Sequence, residues 1–485
     1  MSEIVVIGAG VGGLAAAVRL AEAGHRVSVY EQSGEVGGKL AGYERDGFRF
    51  DTGPSLLTLP DVFDGLGLDL RPEPLDPVVR HFFPDGTVLD SSSDHQVFLD
   101  RIAAALGDDA ARDWARFWAR AERIWHASWD SVLRRPVTAA TLARLSWRVR
   151  DLAAIAPGRS LRSLGRQYLG DRRLRMLLDR YATYAGADPR RAPAALAAIP
   201  YAELAFGGWY LPGGLVTIAA ALRDRCAALG VRLHLGSAVR GIDADRRVRG
   251  IRLADGTFVP ADTVVSNVDA VTLYRDLLPS PGPLAGLADR SLAGFVLLLG
   301  VRGETPELAH HNVFFPRNYD AEFDAVFGGP GRRARPAGDP AVFVTRAPDS
   351  SVRPDRHEAW FVLVNAAPQG TGWGQVDWRR PGLAQAYRDR ILALLAERGP
   401  DVRDRLLFAE IRTPADLAEA TGAPGGAIYG TAGSLIRPAN RAPVEGLFLV
   451  GGSAHPGGGL PMVTLSAQIV ARLIGAASGS RASRP

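Results

Sequence analysis

Apolar positions along the chain follow two different periods, and the changes between them divide it into segments. Ile4 to Ile7 is continuously apolar, as a parallel strand covered on both faces must be. Leu14, Val18 and Leu20 to Ala21 then form the inward stripe of a helix that Gly24 ends, and Val27 to Tyr30 is a second strand. From about Leu75 short strands replace this alternation, with Val78 to Phe83 and Thr87 to Leu89 joined by the hairpin signal Pro84-Asp85-Gly86. The period turns helical from about Asp109 to Leu133. At about 100° per residue Trp114, Trp118, Trp125 and Trp129 share roughly a 60° arc, with Arg116, Arg120, Arg123 and Arg134 opposite. About Thr138 to Ala156 repeats the theme with Leu142, Leu145, Val149 and Leu152 among arginines.

Beyond it, Gly214 to Leu229 predicts a helix, and Val231 to Leu235, Val239 to Ile242, Arg249 to Leu253, Thr257 to Val259 and Ala261 to Asn267 predict strands. A second group of strands is expected at Phe295 to Val301, His310 to Phe315, Val342 to Arg346 and Trp360 to Asn365, interrupted by a Gly/Pro/Arg-rich surface loop, Gly328 to Pro340. A last buried strand, Gly446 to Val450, leads into glycines and a helix whose N-terminus is expected at Val463 and whose end lies at about Ile474.

Chemistry enters where strand meets helix. Gly8, Gly10 and Gly13 form G-x-G-x-x-G directly after the first strand. The first permits the tight turn, the second lets backbone approach a pyrophosphate, and the third lets helix pack on strand, with the anion at the helix N-terminus. Glu31 ends the second strand about twenty residues on, where a carboxylate accepts ribose hydroxyls and repels a 2′-phosphate. Strand, triplet, helix, strand and acid in that order predict a dinucleotide site.

A second glycine pair, Gly37-Gly38-Lys39, follows the acid. It resembles the flavoprotein superfamily that includes amine oxidases, protoporphyrinogen oxidases and carotenoid desaturases, and so implies FAD. Asp51-Thr52-Gly53-Pro54-Ser55 is similar to the D-x-G-P-[ST] of bacterial-type phytoene desaturases, where it lines the flavin pocket. The resemblance to carotenoid desaturases is strongest at Ile199 to Gly214, close to I-P-x-x-E-x-x-x-G-x-W-Y-x-x-G-G, and at Gly451-Gly452-Ser453-Ala454-His455-Pro456-Gly457-Gly458-Gly459-Leu460-Pro461-Met462, the second FAD motif. It implies cofactor contacts from Gly451, Gly452, Pro461 and Met462, and from the backbone of Val239 to the adenine. A helix N-terminus aimed at the flavin's pyrimidine edge would stabilise the negative charge of the reduced ring. Met462 in place of a P-G-V ending looks more like the hydroxycarotenoid 3,4-desaturase branch.

The expected architecture is α/β. A discontinuous Rossmann-type FAD-binding domain takes residues 1–74, 213–285 and 440–475, a mixed-sheet substrate domain takes 75–108 and 286–439, and a Trp/Arg-rich helical subdomain takes 109–212; 476–485 is expected to be a disordered tail. Trp-rich faces beside arginine suit either a helix lying in lipid headgroups or a helical cap with inward tryptophans.

Composition narrows the partners. With 485 residues and 47% hydrophobic content the chain is long enough for two interleaved domains. The net charge of +5 comes from 57 Lys+Arg against 52 Asp+Glu and forms no stripe within a nucleic-acid module, so no nucleic acid is expected. The one cysteine, Cys226, forms no intrachain disulfide. No Cys/His cluster has metal-site spacing, and His310 and His311 are expected on opposite faces of a strand, so no metal is expected. No apolar run is long enough to span a bilayer, and neither a basic region nor an apolar h-region precedes Ile4. The expected location is cytoplasmic, in peripheral contact with the inner face of the cell membrane.

Taken with the resemblance, these features imply an FAD-dependent desaturase of an acyclic carotenoid such as phytoene, neurosporene or a hydroxycarotenoid. The cofactor would be non-covalent and quinone or oxygen would be the electron acceptor. No nucleophilic triad is needed, because the cofactor carries the hard step and the protein holds a long apolar polyene against it. Glu203 is the candidate catalytic carboxylate, as proton acceptor or cation stabiliser, beside a salt-bridge or capping role. Alternatives are a related carotenoid isomerase or oxygenase, a flavin amine oxidase, and a non-catalytic prenyl-lipid carrier on the same fold.

Overall fold

The computed structural model describes residues 2–138, 155, 157–279, 284, 287–432 and 437–477. Two sheets from interleaved segments frame it. The first is wholly parallel, in the order 232–234, 26–30, 3–7, 263–266, 447–449. A parallel sheet needs both faces covered, and here the helices Val11–Glu22, Val216–Ala228 and Leu460–Ile474 pack together on one side of it. A three-stranded antiparallel meander, Val239–Ala244, Val248–Leu253 and Phe258–Pro260, packs on the other.

The second sheet is mixed, in the order 406–412, 293–302, 357–366, 342–346, 311–314, 80–82, 88–90. Its central strands, Ala293–Arg302 and His357–Ala366, pair over ten residues each and are buried along almost their whole length. Against it rests a helical layer with helices at Asp108–Ser128, Leu161–Tyr168, Arg172–Thr183 and Ala198–Phe206.

The tryptophan stripe divides in two. Trp114 and Trp125 are 0% and 4% exposed and belong to the core of the helical layer, whereas Trp118 and Trp129 are half-buried at its rim. Lipid therefore cannot be met by all four rings: Trp114 packs edge-on to Phe98, and apolar burial there exceeds what a headgroup layer offers. The α-helix stops at Ser128, where Trp129–Leu133 widens into a π-turn. The neighbouring helix expected at about 138–156 lies outside the described residues except at Thr138 and Ile155, as does most of the expected tail.

His310 and His311 are not on opposite faces. His310 precedes the strand, and the two rings stack at 5.5 Å with a 10° interplanar angle. The alternation rule fails there because it applies only inside a strand. The last helix begins at Leu460, one turn before the expected Val463, since Pro461 in the first turn needs no amide partner.

Candidate functional site

The parallel sheet brings both glycine motifs to one edge, and Asn267 sits between them. Asn267, just past the strand Thr263–Ser266, is placed by its own amide bonding to the carbonyl of Ile7 at 2.8 Å. Its side chain fills the space that side chains on the glycines would take. A Cβ on Gly10 would lie 2.7 Å from Asn267 Nδ2, one on Gly12 would lie 2.9 Å from Oδ1, and one on Gly451 would strike Oδ1. A Cβ on Gly13 would strike the carbonyl of Gly8, so this glycine lets the helix close onto the strand. Sequence reading passed over Asn267; its only signal is a polar residue ending a buried strand level with the glycine turn.

No side chain caps the helix Val11–Glu22, which starts at Gly10 and has no acid in its first turn. The same holds for Leu460–Ile474, which starts at Gly459. Two uncapped helix N-termini are suited to negative charge. Gly38 approaches Gly10 so closely that a Cβ would be 3.2 Å from its Cα, and Gly37 bridges to Gly10. The second glycine pair therefore lies against the first turn.

Glu31 does more than the spacing predicts. Its Oε2 accepts from the Ala9 amide at 2.7 Å and its Oε1 from the Ser33 amide at 2.9 Å, which ties the glycine turn to the strand end. A carboxylate has about four lone-pair sites, so acceptor capacity remains for ribose hydroxyls. The Ser237 amide bonds the Glu31 carbonyl at 2.7 Å and brings Val239 to the same corner. These residues fit the adenosine half of FAD.

Lys39 turns elsewhere. Its Nζ donates to the carbonyls of Ala427 and Ile428 at 2.8 and 2.6 Å, and burial, opposed by Asp269, pulls it down to about 8. Gly53 packs where a Cβ would strike the Lys39 carbonyl, and Pro54 follows it. Ser55 joins this turn to the mixed sheet: its Oγ accepts from Thr345 Oγ1 at 2.9 Å and contacts His311 Nε2 at 3.1 Å. Asp51, at the start of this turn, accepts the amides of Leu215 and Val216, each at 2.8 Å. It caps the helix Val216–Ala228, and burial pushes it up to about 6.

The C-terminal motif faces the helical layer. After the strand Leu447–Leu449 the loop carries Gly451 and Gly452, and Asn440 Nδ2 holds it by donating to Leu449 O, His455 O and Ser466 Oγ at 3.1, 2.8 and 3.0 Å. His455 Nε2 reaches the carbonyls of Val132 and Arg135 at 3.1 and 2.8 Å. Pro461 opens the last helix, and Met462 packs against the same core cluster as Tyr181, Tyr201 and Leu204.

Glu203 lies within that layer, on the helix Ala198–Phe206, and is 2% exposed. Tyr181 Oη donates to its Oε1 at 2.8 Å, Tyr184 contributes a second hydroxyl, and Oε2 has no partner. Burial raises its proton affinity, and the nearby Arg180 guanidinium opposes the shift. Arg180, Tyr181 and Tyr184 carried no sequence signal, because only the packed fold brings them to Glu203.

A family model described as flavin containing amine oxidoreductase matches residues 11–475. The 4,4'-diapolycopene oxygenase of Methylomonas sp is 32% identical over 488 residues, covering 96% of this chain and 97% of that protein. The hydroxyneurosporene desaturase of Cereibacter sphaeroides is 34% identical over 506 residues, covering 99% and 98%. Among solved structures, wild-type putrescine oxidase bound to putrescine superposes with a TM-score of 0.63 at 16% identity, covering 98% of both chains. At that identity the likeness is one of fold.

Proposed function

The chain belongs to the flavin-containing amine oxidoreductase family, among its bacterial carotenoid desaturase-like flavoenzymes, and we propose that it is an FAD-dependent desaturase of an acyclic carotenoid such as phytoene, neurosporene or a hydroxycarotenoid. The observation that carries this reading is the 34% identity with hydroxyneurosporene desaturase over 99% of the chain.

Gly8, Gly10 and Gly13 would receive the pyrophosphate, Glu31 the ribose and the backbone of Val239 the adenine. Gly37, Gly38 and Lys39 would close over the same half, with Lys39 acting through its tether to residues 427 and 428. Gly53, Pro54, Ser55, Gly451, Gly452, Pro461 and Met462 would enclose the flavin ring. In this reading residues 1–74, 213–285 and 440–475 serve the cofactor, 75–108 and 286–439 the substrate, and 109–212 are the helical, Trp/Arg-rich subdomain. When bound, FAD supplies the hydride acceptor.

The chain's own part is to hold the polyene, keep water away and take a proton. Glu203 is the proton acceptor in this reading: Oε1 is fixed by Tyr181, which leaves Oε2 to face the carbon that loses its proton. A buried carboxylate holds a proton more tightly than an exposed one and is a stronger base for that step.

FAD is held without a covalent bond. Cys226 is the only cysteine, it is fully buried, and burial pushes its thiol up to about 12. Its Sγ donates to the carbonyl of Leu14, behind the first helix and away from the C-terminal motif. Acid precipitation is expected to release all the yellow chromophore. The polyene arrives from a lipid surface touched by the rim of the helical layer, and quinone or oxygen takes the electrons.

The second reading is a carotenoid oxygenase, supported by the 32% identity with the diapolycopene oxygenase. Purified protein added to liposomes carrying an acyclic carotenoid tests both. Desaturation moves the absorption maximum to longer wavelength without added NAD or NADP, whereas oxygenation adds the mass of oxygen. A flavin-loaded protein that left every polyene unchanged and oxidised a soluble amine would overturn both.

A further inference from the structure

Between the helical layer and the mixed sheet lies a polar island sealed from solvent. Arg180 is 6% exposed, Glu203 2%, Tyr181 1% and Tyr319 5%. The Arg180 guanidinium carbon lies 4.9 Å from the ring centroid of Tyr184 and 5.3 Å from that of Phe343 on the sheet. Its charge acts on both Glu203 and Tyr319. The island adjoins the C-terminal motif: Met462 packs against its core cluster, and Tyr429, also within reach of the Arg180 charge, packs on Gly458.

What sets this island apart is the polar capacity it leaves unused. Arg180 Nη1, Glu203 Oε2, Tyr319 Oη and His311 Nδ1 are all buried without a protein partner. A buried polar group left unmet is destabilising, and a charged one more so, so a cluster of them calls for something to meet it. A plain hydrocarbon does the reverse. It displaces water and returns no hydrogen bond, leaving Arg180 Nη1 and Glu203 Oε2 unmet.

Resting on the polyene reading above, we propose that this island is an end-group subsite for an acyclic polyene carrying oxygen at its terminus. Arg180 Nη1 and Tyr319 Oη donate to that oxygen, and Glu203 Oε2 is left facing the carbons next to it. The substrate is then a polyene with a hydroxyl or carbonyl oxygen at one end, and the bond that loses hydrogen lies near that end. A site built to hydrogen-bond such an oxygen can reject the analogue lacking it by up to about 10⁴–10⁵. A pocket of apolar contacts alone would discriminate far less.

The test is a competition between two acyclic polyenes of equal conjugation, one with a terminal hydroxyl and one a plain hydrocarbon, presented in liposomes to the flavin-loaded protein. Their kcat/KM ratio is read by chromatography of the pigments, and the Kd of each from quenching of tryptophan emission. Wild type is expected to favour the hydroxylated polyene at least tenfold. Tyr319→Phe, which removes a single oxygen, is expected to reduce that ratio at least threefold with flavin content unchanged, and Arg180→Met to reduce it further. If Arg180→Met fails to fold, the Tyr319→Phe ratio decides alone. Equal use of both polyenes by wild type, or a ratio that Tyr319→Phe leaves unmoved, overturns the subsite while the desaturase reading stands. Turnover and binding of neither polyene overturns both.

Discussion

Tyr181 Oη donates to Glu203 Oε1 at 2.8 Å, and this bond fixes one oxygen of a buried carboxylate while the other has no protein partner. The phenol cannot rotate away without leaving a second oxygen unpaired, so the pair orients Oε2. Burial raises Glu203 above the ordinary carboxylate range, and Arg180 and the tyrosine hydroxyls pull it part of the way back. The base form therefore appears only as pH rises through that raised value. We expect kcat to climb with pH through an inflection above 4.5, the ordinary carboxylate value. Tyr181→Phe is expected to move the inflection upward, because it removes a bond that favours the charged form. Glu203→Gln is expected to abolish the inflection and slow turnover about 10²–10⁴-fold with flavin retained. An unchanged pH profile in Glu203→Gln would remove this residue from the reaction.

A second prediction concerns the wedge between the two motifs. Gly451 has φ of 100°, and a Cβ there would strike Asn267 Oδ1. Gly451→Ala is expected to cut FAD affinity at least tenfold in reconstitution of the apoprotein, and Asn267→Ala in the same background to restore part of it by opening space. Gly34→Ala is the control, since nothing lies within 4 Å of its added carbon. A double variant no better than Gly451→Ala would place the defect in the backbone dihedral instead of the contact.

The parallel sheet was legible because the apolar run Ile4 to Ile7 and the β-branched, aromatic Val27, Val29 and Tyr30 read as covered strands, and glycine spacing after the first fixes the turn. Glu31 was legible for its position, though not for its bonds to Ala9 and Ser33, since a spacing rule names a partner for the ligand and is silent on the loop it steadies. The Trp stripe shows the limit of periodicity. It places four rings on one face but cannot say what that face meets, and the helices His95–Leu106 and Ala198–Phe206 cover two of them. The Arg180, Tyr181, Tyr319 and Glu203 island was illegible because its members come from three helices far apart in sequence.

Asp51 offers a test of stability. It accepts the first amides of the helix Val216–Ala228, and Asp51→Ala would orphan both. Loss of a cap costs about 1 kcal/mol, and burial of the two freed donors adds to it, so a total of about 2–4 kcal/mol is expected in denaturant unfolding. Its pKa is raised by burial from 3.8 to about 6, so its contribution is fully present below pH 3.8 and is lost as pH rises through 6. Measured against Asp51→Asn, which has no such titration, wild type is expected to gain relative stability as pH falls from 7 to 4.5. A gap that does not change over that window would place the ionised form at no disadvantage in the fold.

The last prediction is about lipid. Among the described residues no helix is long and apolar enough to cross a membrane, and the lipid contact proposed above is tested at the surface of the helical layer. Trp114 and Trp125 are committed to the core, which leaves the rim: Phe206 is 41% exposed with its ring 5.5 Å from Trp125, and half-buried Trp129 stacks on Trp125 at 4.6 Å. Arg134 lies 5.9 Å from the Trp129 ring and supplies positive charge at the same edge. An aromatic rim beside arginine suits an anionic headgroup layer. Transfer of one such ring is worth about 1.5–3 kcal/mol, so Phe206→Ser, which removes the exposed ring, should weaken co-sedimentation with anionic liposomes at least tenfold without lowering Tm. Trp114→Ala is the contrasting variant: removing a fully buried ring should cost about 3–5 kcal/mol of stability whatever happens to lipid binding. If the rim variant binds liposomes as well as wild type, the polyene enters by another face and the aromatic rim is only the edge of a packed layer.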